Sequence, residues 1–233
     1  MRATVSVVVA ARDAERYIGA ALESILGQTR APDQVIAVDD GSEDDTAGVV
    51  ERFGTAVTCL QRKAAGVGAA LNAGIEAAEG EWLSFLDADD LWTARKLELQ
   101  GAVLGRDPTI DMVFGHVKQF ISPELTRDER AQLRPPGGNE PGKLKGSMLV
   151  RREAFDRVGT FDGSWRVAEF IDWYIRAAEQ GLRERMLPDV MLLRRLHTTN
   201  QGRRYPEARN EYAAALALAR RRRGNQPAPS DSA

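Results

Sequence analysis

Cysteine is nearly absent: the chain has one, Cys59, and only two histidines among 233 residues. A single thiol excludes an internal disulfide, and its place in the apolar run Val57-Thr58-Cys59-Leu60 predicts a buried, unreactive side chain in a reducing compartment. No apolar run approaches the ~18 to 20 residues needed to cross a bilayer as a helix. The run from Ala3 to Ala11 is short and meets Arg12, Asp13, Glu15 and Arg16 directly, which suits a buried strand better than a secretory signal. A cytoplasmic location is therefore expected. An excess of one charge is also missing: 32 Lys and Arg stand against 34 Asp and Glu, a net of −2. No global field then favours nucleic acid or an anionic membrane, and binding has to come from a local site. Hydrophobic residues at 43% and charged residues at 28% exclude a disordered polyelectrolyte and suffice for one α/β domain with its own core.

The first half alternates β-rich runs with helical periodicity, the signature of parallel βαβ units. Val5 to Ala11 reads as a strand. Ile18, Ala21, Leu22, Ile25 and Leu26 then share one helix face, ending at Gly27. Val35 to Val38 is a second strand, after which Ser42 and Asp45 have the spacing of a capping box for the next helix. Val57 to Leu60 is a third strand, Gly68 to Ala78 a helix closed by Gly80, and Trp82 to Leu86 a fourth strand. Farther on, Ile110 to Ile121 and Val190 to Leu196 read as strands, Phe170 to Gln180 as a helix capped by Gly181, and Pro206 to Arg223 as a terminal helix. Ser122 to Lys143 is polar and too long for a simple connection, which predicts a lid or disorder.

Acidic residues directly follow strands two and four, at the sheet edge where open α/β sheets bind ligands. In Phe85-Leu86-Asp87-Ala88-Asp89-Asp90, carboxylates one residue apart can point the same way and offer the hard oxygens preferred by Mg²⁺ or Mn²⁺. The plainer reading is that Asp89 or Asp90 caps a helix starting near Thr93. Asp39-Asp40-Gly41-Ser42 adds a second acidic pair that can accept from a base or ribose hydroxyls, although Asp-Gly-Ser also suits a simple turn. Gly66-Val67-Gly68 lacks the third glycine of a dinucleotide fingerprint, which excludes a Rossmann dehydrogenase, and the chain has no P-loop motif.

Val5 to Tyr17, Asp39 to Ser42, Leu71 to Glu81, Asp87 to Trp92, Met148 to Phe155 with Val158 to Asp162, and Leu196-His197-Thr198-Thr199-Asn200 resemble family 2 glycosyltransferases of the GT-A fold. The resemblance implies an α/β fold with a mostly parallel central sheet flanked by helices and a Rossmann-like nucleotide-binding first half. It implies a glycosyltransferase domain over 1–203, with a nucleotide-sugar-binding half 1–105 and an acceptor-side half 106–203. A C-terminal helix over 204–223 and a disordered tail over 224–233 complete the expected organisation. Carried over by position, Ala10 and Arg12 border the uracil pocket, Asp39 holds the base, and Asp40 supports that loop or touches the ribose. Asn72 lies near the ribose or diphosphate, Asp87 on the ribose side, Asp89 is the main metal ligand, and His197 reaches the diphosphate or metal. Asp87 and His197 are the further metal candidates. The implied cofactor is Mn²⁺ or Mg²⁺, the donor a UDP-sugar, and the acceptor a glycan, lipid-linked or other hydroxyl. Membrane contact is at most peripheral, through Arg220 to Arg223, which equally suit a solvated helix end.

The sequence departs from the family at the catalytic base. Glu-Asp is usual after the Gly-x-Phe-Asp run, but here the segment is Ala168-Glu169-Phe170-Ile171-Asp172-Trp173. Glu169 has the longer reach and is the first candidate base, with Asp172 second; the plainer reading pairs Asp172 with Arg176 across one helical turn. Trp165 and Trp173 are candidates for an acceptor cleft or for the core. Inverting transfer follows, with two rivals: a nucleotide-sugar-binding protein without transfer activity, and a sugar nucleotidyltransferase, against which the missing basic phosphate loop counts.

Overall fold

A computed structural model of the chain describes residues 2–135, 137–198 and 208–224. The first half is β1 (Val5–Ala11), α1 (Ile18–Leu26), β2 (Gln34–Asp39), α2 (Thr46–Glu51), β3 (Thr58–Gln61), α3 (Val67–Ala77) and β4 (Trp82–Asp87). β1, β2 and β4 bury nearly every residue, because both faces of a parallel sheet are covered by crossover helices. The strands pair in parallel in the order β3-β2-β1-β4. α1 buries Ile18, Ala21, Leu22 and Ile25, the face its periodicity predicts.

Two expected boundaries have different causes from those read in the sequence. Ser42 and Asp45 form no capping box: α2 starts at Thr46, its N-cap Asp45 makes no side-chain cap, and the Ser42 hydroxyl donates to Asp39. Gly80 does not cap α3, which ends at an extended Ala78. A Cβ on Gly80 would lie 2.4 Å from the Ser6 nitrogen, so this glycine is required by the close approach of β1.

The second half adds β5 (Leu91–Trp92), α4 (Lys96–Arg106), β6 (Met112–Ile121), α5 (Arg127–Ala131), β7 (Asn139–Gly142), β8 (Leu149–Arg151), α6 (Arg152–Val158), α7 (Glu169–Glu179), β9 (Glu184–Leu196) and α8 (Ala208–Gly224). The sheet continues β4-β8-β6-β9-β5, with β7 beside β6. Here the pairing is antiparallel except for β6 with β9. One sheet thus spans both halves. The polar stretch expected as a lid or disorder holds α5, opened by a capping box of Thr126 and Glu129, and β7. Ile18, Leu22 and Leu97 belong to one apolar cluster, Leu71, Phe155 and Trp173 to the other. Cys59 is half-buried, and burial, then nearby Glu51 and Asp39, push its thiol pKa up. Among the described residues no helix is long and apolar enough to cross a membrane. The tail expected from 224 onward lies outside the described residues except for Gly224, which closes α8.

Candidate active site

Register places the acidic residues on one edge. Ala10 pairs with Asp87 on β4, and Ala11 with Asp39 on β2, so the carboxyl ends of three parallel strands finish at one level. Asp39 is buried, and one of its oxygens accepts the Ser42 amide at 3.0 Å. Asp40 is buried too and accepts the amides of Ala65 and Gly66, the latter at 2.7 Å. Gly66 stands at φ +97°, a conformation side-chain-bearing residues avoid, and this turns its amide inward. Of the two roles expected of Asp40, the geometry displays loop support. The Arg12 guanidinium is exposed, 3.9 Å from Asp13. Asn72, expected near the ribose or diphosphate, clasps the Phe161 backbone with its side-chain amide, donating to the carbonyl at 2.8 Å and accepting the N–H at 3.0 Å. This ties α3 to the loop ahead of α7.

At the β4 tip the expected acidic triplet separates into three environments. Asp89 meets His197, 108 residues along the chain, with Nε2 to Oδ2 at 2.9 Å. Burial would raise the Asp89 pKa, but the hydrogen bond and charge of His197 outweigh it and hold it below the usual carboxylate range. His197 is buried and packs on the Tyr17 ring, centroids 4.8 Å apart. Asp90 turns inward and accepts the Arg195 amide at 2.8 Å; burial, then Asp89 and Asp87, push its pKa well up. Neither Asp89 nor Asp90 caps a helix, since α4 begins only at Lys96 with Arg95 as its cap. The Arg195 guanidinium, 4.8 Å from the Phe120 ring and 5.1 Å from Tyr17, donates to the Asp89 carbonyl at 2.8 Å and fixes the loop.

Asp87 meets a residue that no sequence pattern singled out. Lys145, in the 3-10 turn Lys145–Ser147, reaches Asp87 at 2.9 Å and Glu169 at 2.8 Å. Burial disfavours its charge, but the two carboxylates override this and raise its pKa. Glu169 opens α7, where an acid complements the helix N-terminus, and is 2% exposed. Its Oε1 accepts a hydrogen bond from Lys145 Nζ, while Oε2 is buried with no hydrogen-bond partner among the described residues.

The other candidates around α7 face inward. Asp172 is buried and paired with Arg176 at 2.8 Å, the plainer of its two readings, although this pair is no surface pair. Phe170, in place of the family's acid, packs between Phe114 and Trp173 in the core. Trp173 is fully buried and donates to the Gly159 carbonyl, so it lines no cleft.

Behind Lys145, one segment clamps three consecutive carbonyls: Trp92 Nε1 donates to Gly146 at 2.8 Å, Gln100 Nε2 to Ser147 at 2.7 Å, and Lys96 Nζ to Met148 at 3.0 Å. Lys96 is fully buried, its ammonium 4.0 Å from the Trp92 ring, and burial drives its pKa well down.

A parallel half ending in acids, continued by a mixed half that brings a helix-borne carboxylate to the same edge, is the architecture of the GT-A glycosyltransferases. The family 2 glycosyl transferase sequence model matches residues 6–159, and the chain belongs to glycosyltransferase family 2. An uncharacterised glycosyltransferase of Rickettsia typhi is 32% identical over 182 residues, covering 73% of this chain and 57% of that one. The Escherichia coli UDP-Glc:α-D-GlcNAc-diphosphoundecaprenol β-1,3-glucosyltransferase WfgD is 31% identical over 131 residues, covering 52% of this chain and 51% of its own. The chain thus spans little more than half the length of these relatives. Among solved structures, Staphylococcus aureus TarS with UDP-GlcNAc aligns with TM-score 0.72 at 20% identity over 93% of this chain and 65% of that one. The mannosyltransferase PcManGT of Pyrobaculum calidifontis, in complex with GDP-Man and Mn²⁺, aligns with TM-score 0.69 at 26% identity over 98% and 66%.

Proposed function

We propose that the chain is an inverting glycosyltransferase that moves a sugar from a UDP-sugar to an acceptor hydroxyl with the help of a divalent cation. The observation that carries the reading is the single Lys145 ammonium within 3 Å of both Asp87, on the donor edge, and Glu169, at the start of α7. In this reading Asp39 and the loop held by Asp40 receive the base, with Ala10 and Arg12 at its border. The unpartnered Oε2 of Glu169 takes the acceptor proton as the acceptor oxygen bonds to the anomeric carbon from the face opposite the departing diphosphate. Asp172, already neutralised by Arg176, serves structure.

Asp89 and His197 would hold the cation. Among the described residues no three His, Cys, Asp or Glu side chains converge as a complete metal cage. Two ligands suit Mg²⁺ or Mn²⁺ nonetheless, because such ions bind through one or two carboxylates plus substrate phosphates. When bound, the cation supplies charge stabilisation to the leaving diphosphate. The acceptor is a glycan or lipid-linked hydroxyl, by extension from the acceptor of the Escherichia coli relative.

Glu169→Gln tests the assignment: kcat should fall ~10² to 10⁴-fold, the usual worth of a general base, with UDP affinity unchanged by calorimetry. The core position of Phe170 favours one alternative, a donor-binding protein without transfer. Under that alternative the variant would change nothing measurable, and the base assignment would be lost.

A further inference from the structure

α8 packs along α7. The Glu211 carboxylate accepts the amides of Arg166 and Val167, both at 3.0 Å, just ahead of Glu169. Ala215 and Ala219 are fully buried, and Arg222 donates to Glu179 at 3.0 Å. Residues 211, 215, 219 and 222 therefore form the attached face, and their register fixes where the next residue stands.

That residue is Tyr212. It is 40% exposed, although it follows a carboxylate anchored two residues from the buried base. Its phenol pKa is raised, by burial first and then by the Glu169 carboxylate, with Arg194 and Lys145 acting in the opposite sense. A half-exposed aromatic ring with a polar tip, next in sequence to a carboxylate that holds the two amides just ahead of α7, suits the apolar C–H face of a sugar ring directed toward the start of that helix.

We propose that Tyr212 on α8 is the platform on which the acceptor's sugar ring stacks, so that the C-terminal helix holds the acceptor. The proposal rests on the reading of Glu169 as base. The probes are p-nitrophenyl glycosides of glucose, N-acetylglucosamine, galactose and mannose in both anomeric forms. They are titrated by saturation-transfer NMR into the full chain and its Tyr212→Ala and Tyr212→Phe variants, with UDP and Mn²⁺ present. UDP binding is measured separately by calorimetry.

At least one glycoside should bind the parent chain, bind Tyr212→Ala about tenfold or more weakly, about 1.4 kcal/mol, and bind Tyr212→Phe within about twofold. UDP affinity should be the same in all three. Equal glycoside affinity in Tyr212→Ala would overturn the platform, as would the absence of any glycoside binding to a chain that binds UDP. A loss of equal size in Tyr212→Phe would move the contact from ring to hydroxyl and overturn it too. Failure of the parent chain to bind UDP would instead remove the transferase reading beneath it.

Discussion

Lys145 neutralises two carboxylates from elements far apart in sequence, and its removal leaves both without their shared cation. Truncating one member of a buried ion pair typically costs ~3 to 5 kcal/mol, so Lys145→Met should destabilise by about that much in urea, while Lys145→Arg should recover part of the loss. Lys96 tests a different balance. Its folded pKa lies below the unfolded value of ~10.4, so the unfolded chain binds more protons between those two values and stability rises with pH across that window. Lys96→Met lacks this group; its stability, measured by denaturation at stepped pH, should fall progressively behind the parent as pH climbs toward ~10. None of the Lys145 geometry was legible in sequence, because Lys145 follows no motif and its partners stand 58 and 24 residues away, while Asp89, Glu169 and His197 could be named because they sit in recognisable patterns.

Elements were readable where burial imposes periodicity. β1, β2 and β4 are continuous apolar runs, and α1 and α3 show one apolar face. β5 was hidden because two residues carry no period, and β7 because Asn139-Glu140-Pro141-Gly142 is unfavourable for a strand and is tolerated only beside β6. β9 begins at Glu184, earlier than Val190, because charged and proline residues interrupt its apolar pattern. The β1–α3–β4 junction gives an element-scale prediction: Gly80→Ala forces a Cβ into the Ser6 backbone, and overpacking of this kind should cost ~1 to 3 kcal/mol by thermal or chemical denaturation.

For the molecule as a whole, ligand binding to the native state should appear as added stability. At a UDP concentration of ~100 Kd with Mn²⁺, linkage gives ~2.7 kcal/mol, or a Tm rise of roughly 5 to 10 °C for a chain of this size. Asp89→Asn should lose the manganese-dependent part of that rise while its unliganded Tm stays near the parent's. A parent Tm indifferent to UDP with or without Mn²⁺ would remove the donor site.

The Asp89–His197 contact joins the tip of β4 to the residue just past β9, 108 residues on, and β5 pairs with β9 over a comparable separation. A growing polypeptide therefore leaves the ribosome with its acidic edge exposed and half-made, and, under the proposed donor-binding role, completes that edge only once the stretch around residue 197 has emerged and folded back. Stalled nascent chains halted before that point should be unable to retain UDP on an affinity resin, whereas those released after it should hold it.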